Sequence, residues 1–189
     1  MTSVVHTWGT QPDERSLAFP CDRLIPAPDD TFYRGITIKA QPQVVFRWLC
    51  QMRVAPYSYD WIDNLGRKSP RRLTPGLEEL AIGQKVMQIF ELVDFARDQH
   101  LTLRIKPGSL AARVFGDTAI TYRILASGAG TCRLLVKFLV SYPRAPLGWL
   151  VRLVLPWGDL IMMRRQFLTF KKLAERSSVT SRQGSHAFT

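Results

Sequence analysis

Residues 146–176 read PLGWLVRLVLPWGDLIMMRRQFLTFKKLAER, and the rest of the chain is predicted to fold around this stretch. Beyond Asp159, apolar residues recur at the spacing of three and four that marks one face of a helix. These residues are Leu160, Met163, Phe167, Phe170 and Ala174. Basic residues fill much of the remaining surface, namely Arg164, Arg165, Lys171, Lys172 and Arg176. The pattern predicts an amphipathic helix that packs a wide apolar stripe against a sheet.

The predicted start of this helix is Asp159, directly after the sequence Pro156-Trp157-Gly158. Proline and glycine commonly mark helix ends, and a carboxylate is favourable at a helix N-terminus. Basic residues in the last turns suit the negative end of the helix dipole. We therefore expect two helices here, a short apolar one over residues 147–155 and a long one from Asp159 onward.

The composition is that of an ordinary globular domain with one core. The chain has 189 residues, of which 46% are hydrophobic and 22% are charged. The net charge of +11 suits nucleic acid, an anionic membrane or an acidic partner. The basic clusters, within residues 67–72 and 144–176, show no aromatic interleaving and no known nucleic-acid-binding spacing. We expect solvated basic faces and no specific nucleic-acid partner, and peripheral contact with an anionic membrane stays open.

The cysteines Cys21, Cys50 and Cys132 lie far apart, without a CxxC pair or metal-ligand spacing. We expect them to be reduced, and we expect no metal and no other cofactor. The first residues of the chain lack the apolar core of a secretory signal. The most apolar run, residues 147–157, is interrupted by Arg152 and is shorter than the roughly 20 residues of a spanning helix. A cytoplasmic protein is therefore predicted.

The first half of the chain predicts an arm, a strand and a helix. Prolines in residues 1–33 oppose regular structure, which predicts an extended arm lying over the domain. Residues 34–39 alternate as a strand does. A helix is predicted from Pro42, with Val45, Trp48, Leu49 and Met52 on its apolar face. Residues 56–80 are expected to contain two short helical turns joined by a basic loop.

Beyond Gly83 the apolar period changes to two, which indicates strands. Residues 86–93 are predicted as one strand that is apolar on both faces, and residues 101–106 as a strand with one apolar face. Residues 107–116 are predicted as a connection or a short distorted strand. The turn Ser127-Gly128-Ala129-Gly130 predicts an antiparallel hairpin of the segments around it. Residues 177–189 are small and polar, and are predicted to be a disordered tail.

This order of elements predicts an α+β helix-grip fold: a curved antiparallel sheet wrapped around a long C-terminal helix, with two short helices after the first strand. Five segments in the same order resemble the SRPBCC, or START-like, superfamily, which includes Bet v 1-like proteins. They are RGITI (34–38), PQVVFRWLCQM (42–52), YSYDWIDN (57–64), GTCRL (130–134), and MRR with KKLAE (163–165 and 171–175). The resemblance is strongest to polyketide cyclase/dehydrase-like bacterial members, and it covers most of residues 20–176. It implies a START-like domain over residues 34–176.

The resemblance implies a mostly apolar cavity between sheet and helix that holds lipids, sterols, polyketides or hormones. It does not imply one reaction, because members range from passive carriers to cyclases. One departure concerns the segment before the YSYDWIDN motif, where relatives often have a glycine-rich link. This chain has Arg53-Val54-Ala55-Pro56 there, which predicts a differently shaped entrance.

Large side chains predicted on the concave sheet face and on the helix stripe are candidates to line that cavity. They are Trp48, Tyr59, Trp61, Phe90, Leu103, Tyr122, Phe138, Met163 and Phe167. Plain core packing is the simpler explanation for each of them alone. Tyr59 and Tyr122 are favoured, because a buried phenol needs a hydrogen-bond partner that a ligand can supply. Trp157 is a candidate gate, or simply a plug.

No catalytic residue is predicted. His100 is the one histidine within residues 34–176, and its place at a strand start near Asp98 is typical of a surface residue. The sequence contains no nucleophile elbow, zinc-protease motif, phosphate-binding loop or dinucleotide fingerprint. Strand alternation predicts that Arg104 and Arg123 face water.

Three functional hypotheses follow, in this order. The first is a carrier or sensor that binds a hydrophobic small molecule. The second is a polyketide cyclase or dehydratase-like enzyme in which Tyr, Arg or His moves protons. The third is a peripheral membrane lipid-binding module, suggested by the apolar residues 147–155 and by basic residues around them, Arg144, Arg152, Arg164 and Arg165. The sequence leaves the ligand and the oligomeric state undefined.

Overall fold

The computed structural model describes residues 3–59, 61, 66–144 and 148–186. Within them, one antiparallel sheet has the strand order β1-β6-β5-β4-β3-β2. Its strands are β1 (Asp30–Ile38), β2 (Lys85–Val86), β3 (Phe90–Ala96), β4 (His100–Ile105), β5 (Asp117–Ala126) and β6 (Cys132–Ser141). The helices are α1 (Val4–Thr7), α2 (Pro12–Arg15), α3 (Pro42–Cys50), α4 (Leu110–Phe115) and α5 (Gly148–His186), with 3-10 turns at Pro20–Arg23 and Gln51–Arg53. The sheet wraps around α5, so the predicted α+β helix-grip fold is confirmed.

The order of pairing brings the first strand next to the last. The hairpin of β5 and β6 extends from Ala126 opposite Cys132 to Asp117 opposite Ser141. On the other side of β6, β1 pairs in register with Ile38 opposite Cys132. The two longest strand pairings of the sheet therefore share β6, and they form the wall on which α5 lies.

The apolar stripe of α5 and the apolar face of α3 pack into one core on the concave side of the sheet. The buried residues of these helices include Met163, Phe167, Phe170, Ala174, Val45, Trp48 and Leu49. Burial of large apolar side chains stabilises the fold by roughly 1.5 to 3 kcal/mol for each. Both stripes match the spacing read from the sequence, because a period of 3.6 places these positions on one helical face.

The break predicted at Pro156-Trp157-Gly158 is wrong. Helix α5 is continuous from Gly148 to His186 and contains Pro156 in its interior, so Asp159 does not begin a helix. Pro156 lacks an N–H and costs a helix interior about 3 kcal/mol. Contacts on both sides of the proline hold the helix to the sheet and the arm: Arg152 lies 3.2 Å from Asp29, and Asp159 forms an ion pair with Arg34.

Three further segments differ from the prediction. Residues 86–93 form a β2–β3 hairpin and not one strand, because Met87 and Gln88 have φ values of 47° and 65° and reverse the chain. Residues 107–116 contain α4, which Ser109 caps by accepting a 3.1 Å hydrogen bond from the Ala112 N–H. Residues 66–80 contain no helix, and the other predicted helical turn falls partly outside the described residues.

Residues 19–25 of the segment before β1 cover the convex face of the sheet, whereas Trp8 packs against the main core. Residues 19–25 and this face form a second, smaller core whose members are Phe19, Cys21, Ile25, Ala119, Leu135 and Leu139. The guanidinium of Arg133 donates to both carboxylate oxygens of Glu14 at 2.7 Å, which fixes the arm to β6. The arm contains α1, α2 and a 3-10 turn, so it is not extended throughout, and α5 continues past residue 176. The division of the chain into an arm, a domain over residues 34–176 and a tail stays a prediction.

Candidate functional site: a cavity between the sheet and helix α5

A cavity of about 390 Å³ lies between the concave face of the sheet and the first half of α5. Its walls are mostly apolar, and include Met87, Phe90, Ile105, Ile120, Phe138 and Met163. Protein interiors are otherwise packed as densely as organic crystals. A space of this size is therefore a candidate binding site, and it falls within the range of small-molecule pockets.

The mouth of the cavity lies where the β2–β3 turn, α4 and α5 meet. Ile89, Phe115 and Val154 come from these three elements, and all three line the cavity. Their side chains are also partly accessible, with relative exposures of 40%, 38% and 57%. An apolar molecule can therefore reach the interior along an apolar surface.

A hydrogen-bonded chain crosses the inner part of the cavity. The Tyr122 hydroxyl donates to Gln166 Oε1 at 2.8 Å, and Gln166 Nε2 donates to the Pro56 carbonyl at 2.6 Å. Burial raises the pKa of Tyr122, and the nearby Asp159 carboxylate raises it further. The phenol therefore stays protonated and acts as a donor, which joins β5 to α5 and to the segment after α3.

Asp159, which lines the cavity, forms a buried ion pair with Arg34. Arg34 of β1 donates from Nη2 to Asp159 Oδ2, and from Nη1 to the Tyr33 carbonyl at 2.9 Å. Arg34 Nε has no hydrogen-bond partner among the residues that the structure describes. Burial raises the pKa of Asp159 to about 6, although the attraction and the hydrogen bond of Arg34 oppose this rise. A carboxyl group with a raised pKa thus borders the cavity.

Two more positions shape the interior. Thr118 is buried and lines the cavity, and its hydroxyl has no partner among the described residues. A buried hydroxyl of this kind is costly unless something bonds to it. Gly158 lines the cavity from α5, and a Cβ built there meets no other atom within 4 Å. The missing side chain at residue 158 therefore leaves space open in the cavity.

The structure distributes the predicted ligand-binding residues over three environments. Four line the cavity, namely Phe90, Tyr122, Phe138 and Met163. Three lie in the packed core away from its wall, namely Trp48, Leu103 and Phe167. The remaining two, Tyr59 and Trp61, line a separate and more polar pocket together with Arg71 and Arg165. Ligand contact by any of them stays a prediction, and Trp157 is exposed on the outer surface of α5.

Gln166 and Thr118 of the cavity, and Arg34, the partner of Asp159, were not predicted from the sequence, although each carried a signal. Gln166 occupies a buried phase of the α5 stripe, where a polar residue is unusual. Arg34 shares the phase of Ile36 and Ile38 on β1, and Thr118 shares the phase of Ile120 and Tyr122 on β5. In each case the signal was a polar residue at a position where the helix or strand pattern places apolar residues, because such a residue commonly has a functional or hydrogen-bonding role.

Other reactive groups lie outside the cavity. His100 Nε2 lies 3.2 Å from Asp94 Oδ2 near the arm, and Arg123 donates to the Ala18 carbonyl at 2.6 Å. Burial raises the pKa of Cys21 to about 11 and that of Cys50 to about 12, so these thiols are poor nucleophiles. Over the described ranges, His, Cys, Asp and Glu side chains form no group of three or more that could hold a metal ion. None of the described helices could cross a membrane, since none combines sufficient length with an apolar sequence.

Similar proteins were found among solved structures. Protein MLL2253 from Mesorhizobium loti is 13% identical, with a TM-score of 0.48 and coverage of 77% of this chain and 97% of that one. A START superfamily protein from Mycobacterium smegmatis is 10% identical, with a TM-score of 0.45 and coverage of 77% and 97%. The di-domain ARO/CYC protein BexL of the BE-7585A biosynthetic pathway is 15% identical, with a TM-score of 0.46 and coverage of 81% and 53%.

The sequence matches no protein-family model and no curated protein. At these identities the structural similarities concern the fold alone. The order of elements and the sheet topology are those of the helix-grip fold, which is the fold that the resemblance to the SRPBCC superfamily implies.

Proposed function

We propose that this protein binds a hydrophobic small molecule with at least one polar group inside the cavity, as a carrier or sensor. The observation that carries the proposal is the unfilled space of about 390 Å³ with an apolar mouth. Transfer of apolar ligand surface from water contributes roughly 25 cal/mol per Å². Apolar walls of this kind supply affinity without demanding one particular ligand.

The polar residues on the wall account for orientation. Thr118 and Tyr122 face the cavity from the same side of β5, with Ile120 between them. Four strand residues span roughly 13 Å, so polar ligand groups have two separate places to bind. At the first place the Thr118 hydroxyl needs a partner. At the second place, beside Tyr122, the Asp159 carboxylate accepts one hydrogen bond among the described residues, from Arg34. It therefore retains capacity to accept another from a ligand.

Native mass spectrometry of freshly purified protein, followed by solvent extraction, tests this proposal. A retained molecule of defined mass, or saturable uptake of added lipids or aromatic polyketides, is the expected result. The variant Gly158→Leu places a side chain into the cavity space and should reduce the bound fraction, whereas Gly158→Ala serves as its matched control. If neither retained nor added apolar compounds bind the wild-type protein, the proposal is wrong.

A cyclase or dehydratase-like activity is the second candidate, and one observation favours it. Asp159 borders the cavity with a pKa near 6, which suits a group that gives and takes protons near neutral pH. In a dehydration, the Asp159 carboxylate would remove the proton from the carbon next to the ketone, and the carboxyl group so formed would protonate the hydroxyl, which leaves as water. Conversion of a bound β-hydroxy ketone by the wild-type protein, lost in Asp159→Asn with binding retained, would support this activity.

A further inference from the structure

Exposed apolar side chains are numerous on the three elements that form the cavity mouth. Ten large apolar residues on the β2–β3 turn, α4 and the first half of α5 are exposed, and we call them the rim patch. They include Leu110 at 76%, Trp149 at 68%, Leu153 at 62% and Trp157 at 58%. The other members are Ile89, Val114, Phe115, Leu150, Val154 and Ile161. Soluble proteins rarely expose so many large apolar residues together unless the surface has a partner.

The rim patch has the form of an interfacial surface. Trp149, Leu153, Trp157 and Ile161 repeat every four residues, so they lie along one side of α5. Two exposed tryptophans on such a stripe are typical of helices that lie at the boundary between lipid headgroups and acyl chains. The rim patch as a whole reaches the cavity, because three of its members, Ile89, Phe115 and Val154, also line the cavity.

Exposed arginines lie next to the rim patch on both α4 and α5. Arg113 is exposed on α4, one turn from Leu110 and next to Val114. Arg164 is exposed on α5, one turn beyond Ile161. The sequence of α5 contains only two acidic residues, of which Asp159 is paired with buried Arg34 and Glu175 with Lys171. The charge around the patch is therefore positive, in a chain with a net charge of +11.

We propose that the rim patch docks this protein on an anionic lipid bilayer, with the cavity mouth turned toward the membrane. The apolar side chains enter the headgroup boundary, while Arg113 and Arg164 contact anionic lipids. Such docking lies on the surface and needs no spanning helix. It is independent of the ligand proposed above, because the patch is exposed whether or not the cavity is filled.

Flotation with vesicles tests the proposal on the full chain. Vesicles of phosphatidylcholine alone are compared with vesicles that also contain phosphatidylglycerol, at low and high salt. We expect binding only to the anionic vesicles, and weaker binding at high salt. Each arginine near an anionic surface strengthens binding about fivefold, so Arg113→Glu/Arg164→Glu should lower the partition coefficient at least 25-fold. The variant Leu153→Ser/Trp157→Ser should lower it about tenfold or more.

Two control variants make the same kinds of substitution at exposed positions outside the rim patch. Val4→Ser/Ile82→Ser removes two exposed apolar side chains outside the patch, and Lys68→Glu/Arg72→Glu alters the net charge by the same amount as the arginine variant. The apolar control Val4→Ser/Ile82→Ser should bind vesicles within about twofold of the wild-type protein. The charge control Lys68→Glu/Arg72→Glu should show only a small general loss of binding. Circular dichroism and urea unfolding show that every variant is folded.

Two results would overturn the proposal. The first is an absence of vesicle binding, or binding that Leu153→Ser/Trp157→Ser leaves unchanged. The second is a dimer in light scattering that this double variant converts to a monomer, because a second copy of the chain would then cover the rim patch. Ligand uptake is measured separately, so failure of docking leaves the proposed ligand binding intact, and failure of ligand uptake leaves docking intact.

Discussion

Tyr122 of β5 donates a 2.8 Å hydrogen bond to Gln166 of α5 in the interior of the protein. Gln166 in turn donates to the carbonyl of Pro56. One amide side chain therefore links the sheet, the long helix and the segment that follows α3. Because all three side chains line the cavity, the same bonds that hold the elements together also fix the shape of its inner end.

Removing the hydroxyl in Tyr122→Phe should lower the free energy of unfolding by about 1 to 3 kcal/mol, because the buried Gln166 oxygen loses its donor. Urea denaturation measures this change. The double variant Tyr122→Phe/Gln166→Met should be less destabilised than the sum of the single variants. Ligand affinity should also fall in Tyr122→Phe, and an unchanged affinity would refute a role for Tyr122 in binding.

Breaking the buried ion pair should destabilise the protein strongly. Arg34→Met leaves Asp159 without its partner, and loss of one member of a buried pair costs about 3 to 5 kcal/mol. Replacing both members in Arg34→Met/Asp159→Leu should recover most of this loss, since no buried charge then lacks a partner. Equal instability of the single and double variants in chemical denaturation would contradict the pairing.

The raised pKa of Asp159 predicts a pH dependence of stability. Its folded value of about 6 exceeds its ordinary value of 3.8, so the folded state holds this proton more tightly than the unfolded state. Proton binding by Asp159 therefore adds to the free energy of unfolding. This contribution is complete below pH 3.8 and is lost as the pH rises through about 6. Urea unfolding from acid to neutral pH should show this loss in the wild-type protein relative to Asp159→Asn. A constant difference between the two across that range would show that Asp159 titrates normally.

Thr118→Val separates ligand binding from stability. The substitution removes a buried hydroxyl that has no partner among the described residues, so stability should stay the same or rise by about 1 kcal/mol. Affinity for a ligand with a polar group should fall, because that group loses its hydrogen bond. A loss of stability without a change in affinity would show that the hydroxyl serves the fold instead. Thermal unfolding and ligand titration measure the two effects.

Local patterns in the sequence predicted most of the architecture. The stripe of α5 follows from burial on one face of the helix, which the spacing within that segment shows by itself. The hairpin was predictable because Ser127-Gly128-Ala129-Gly130 connects two strand-like apolar segments, although β5 and β6 have buried residues on both faces. These features need no knowledge of distant residues.

The failures arose where distant contacts decide the local structure. Pro156 lies inside α5 between Arg152 and Asp159, whose ion-pair partners Asp29 and Arg34 are more than one hundred residues earlier in the chain and cannot be read from the local sequence. The turn at Met87 and Gln88 contains no glycine, proline or asparagine, so its sequence resembles a strand. The cavity is a space that the side chains of several elements leave unfilled. A single sequence shows which residues are apolar, but it does not show where their side chains fail to meet.

The central claim is tested most directly by titrating parinaric acid, a fluorescent fatty acid, into three forms of the protein. Gly158 lines the cavity and a Cβ built there meets no other atom within 4 Å, so Gly158→Leu should fill part of the space, whereas Gly158→Ala adds one methyl group and should stabilise the helix by about 1 kcal/mol. The account predicts saturable binding by the wild-type protein and by Gly158→Ala, and at least tenfold weaker binding by a folded Gly158→Leu. Equal binding by all three forms, or no binding by the wild-type protein, would contradict a ligand site between the sheet and α5.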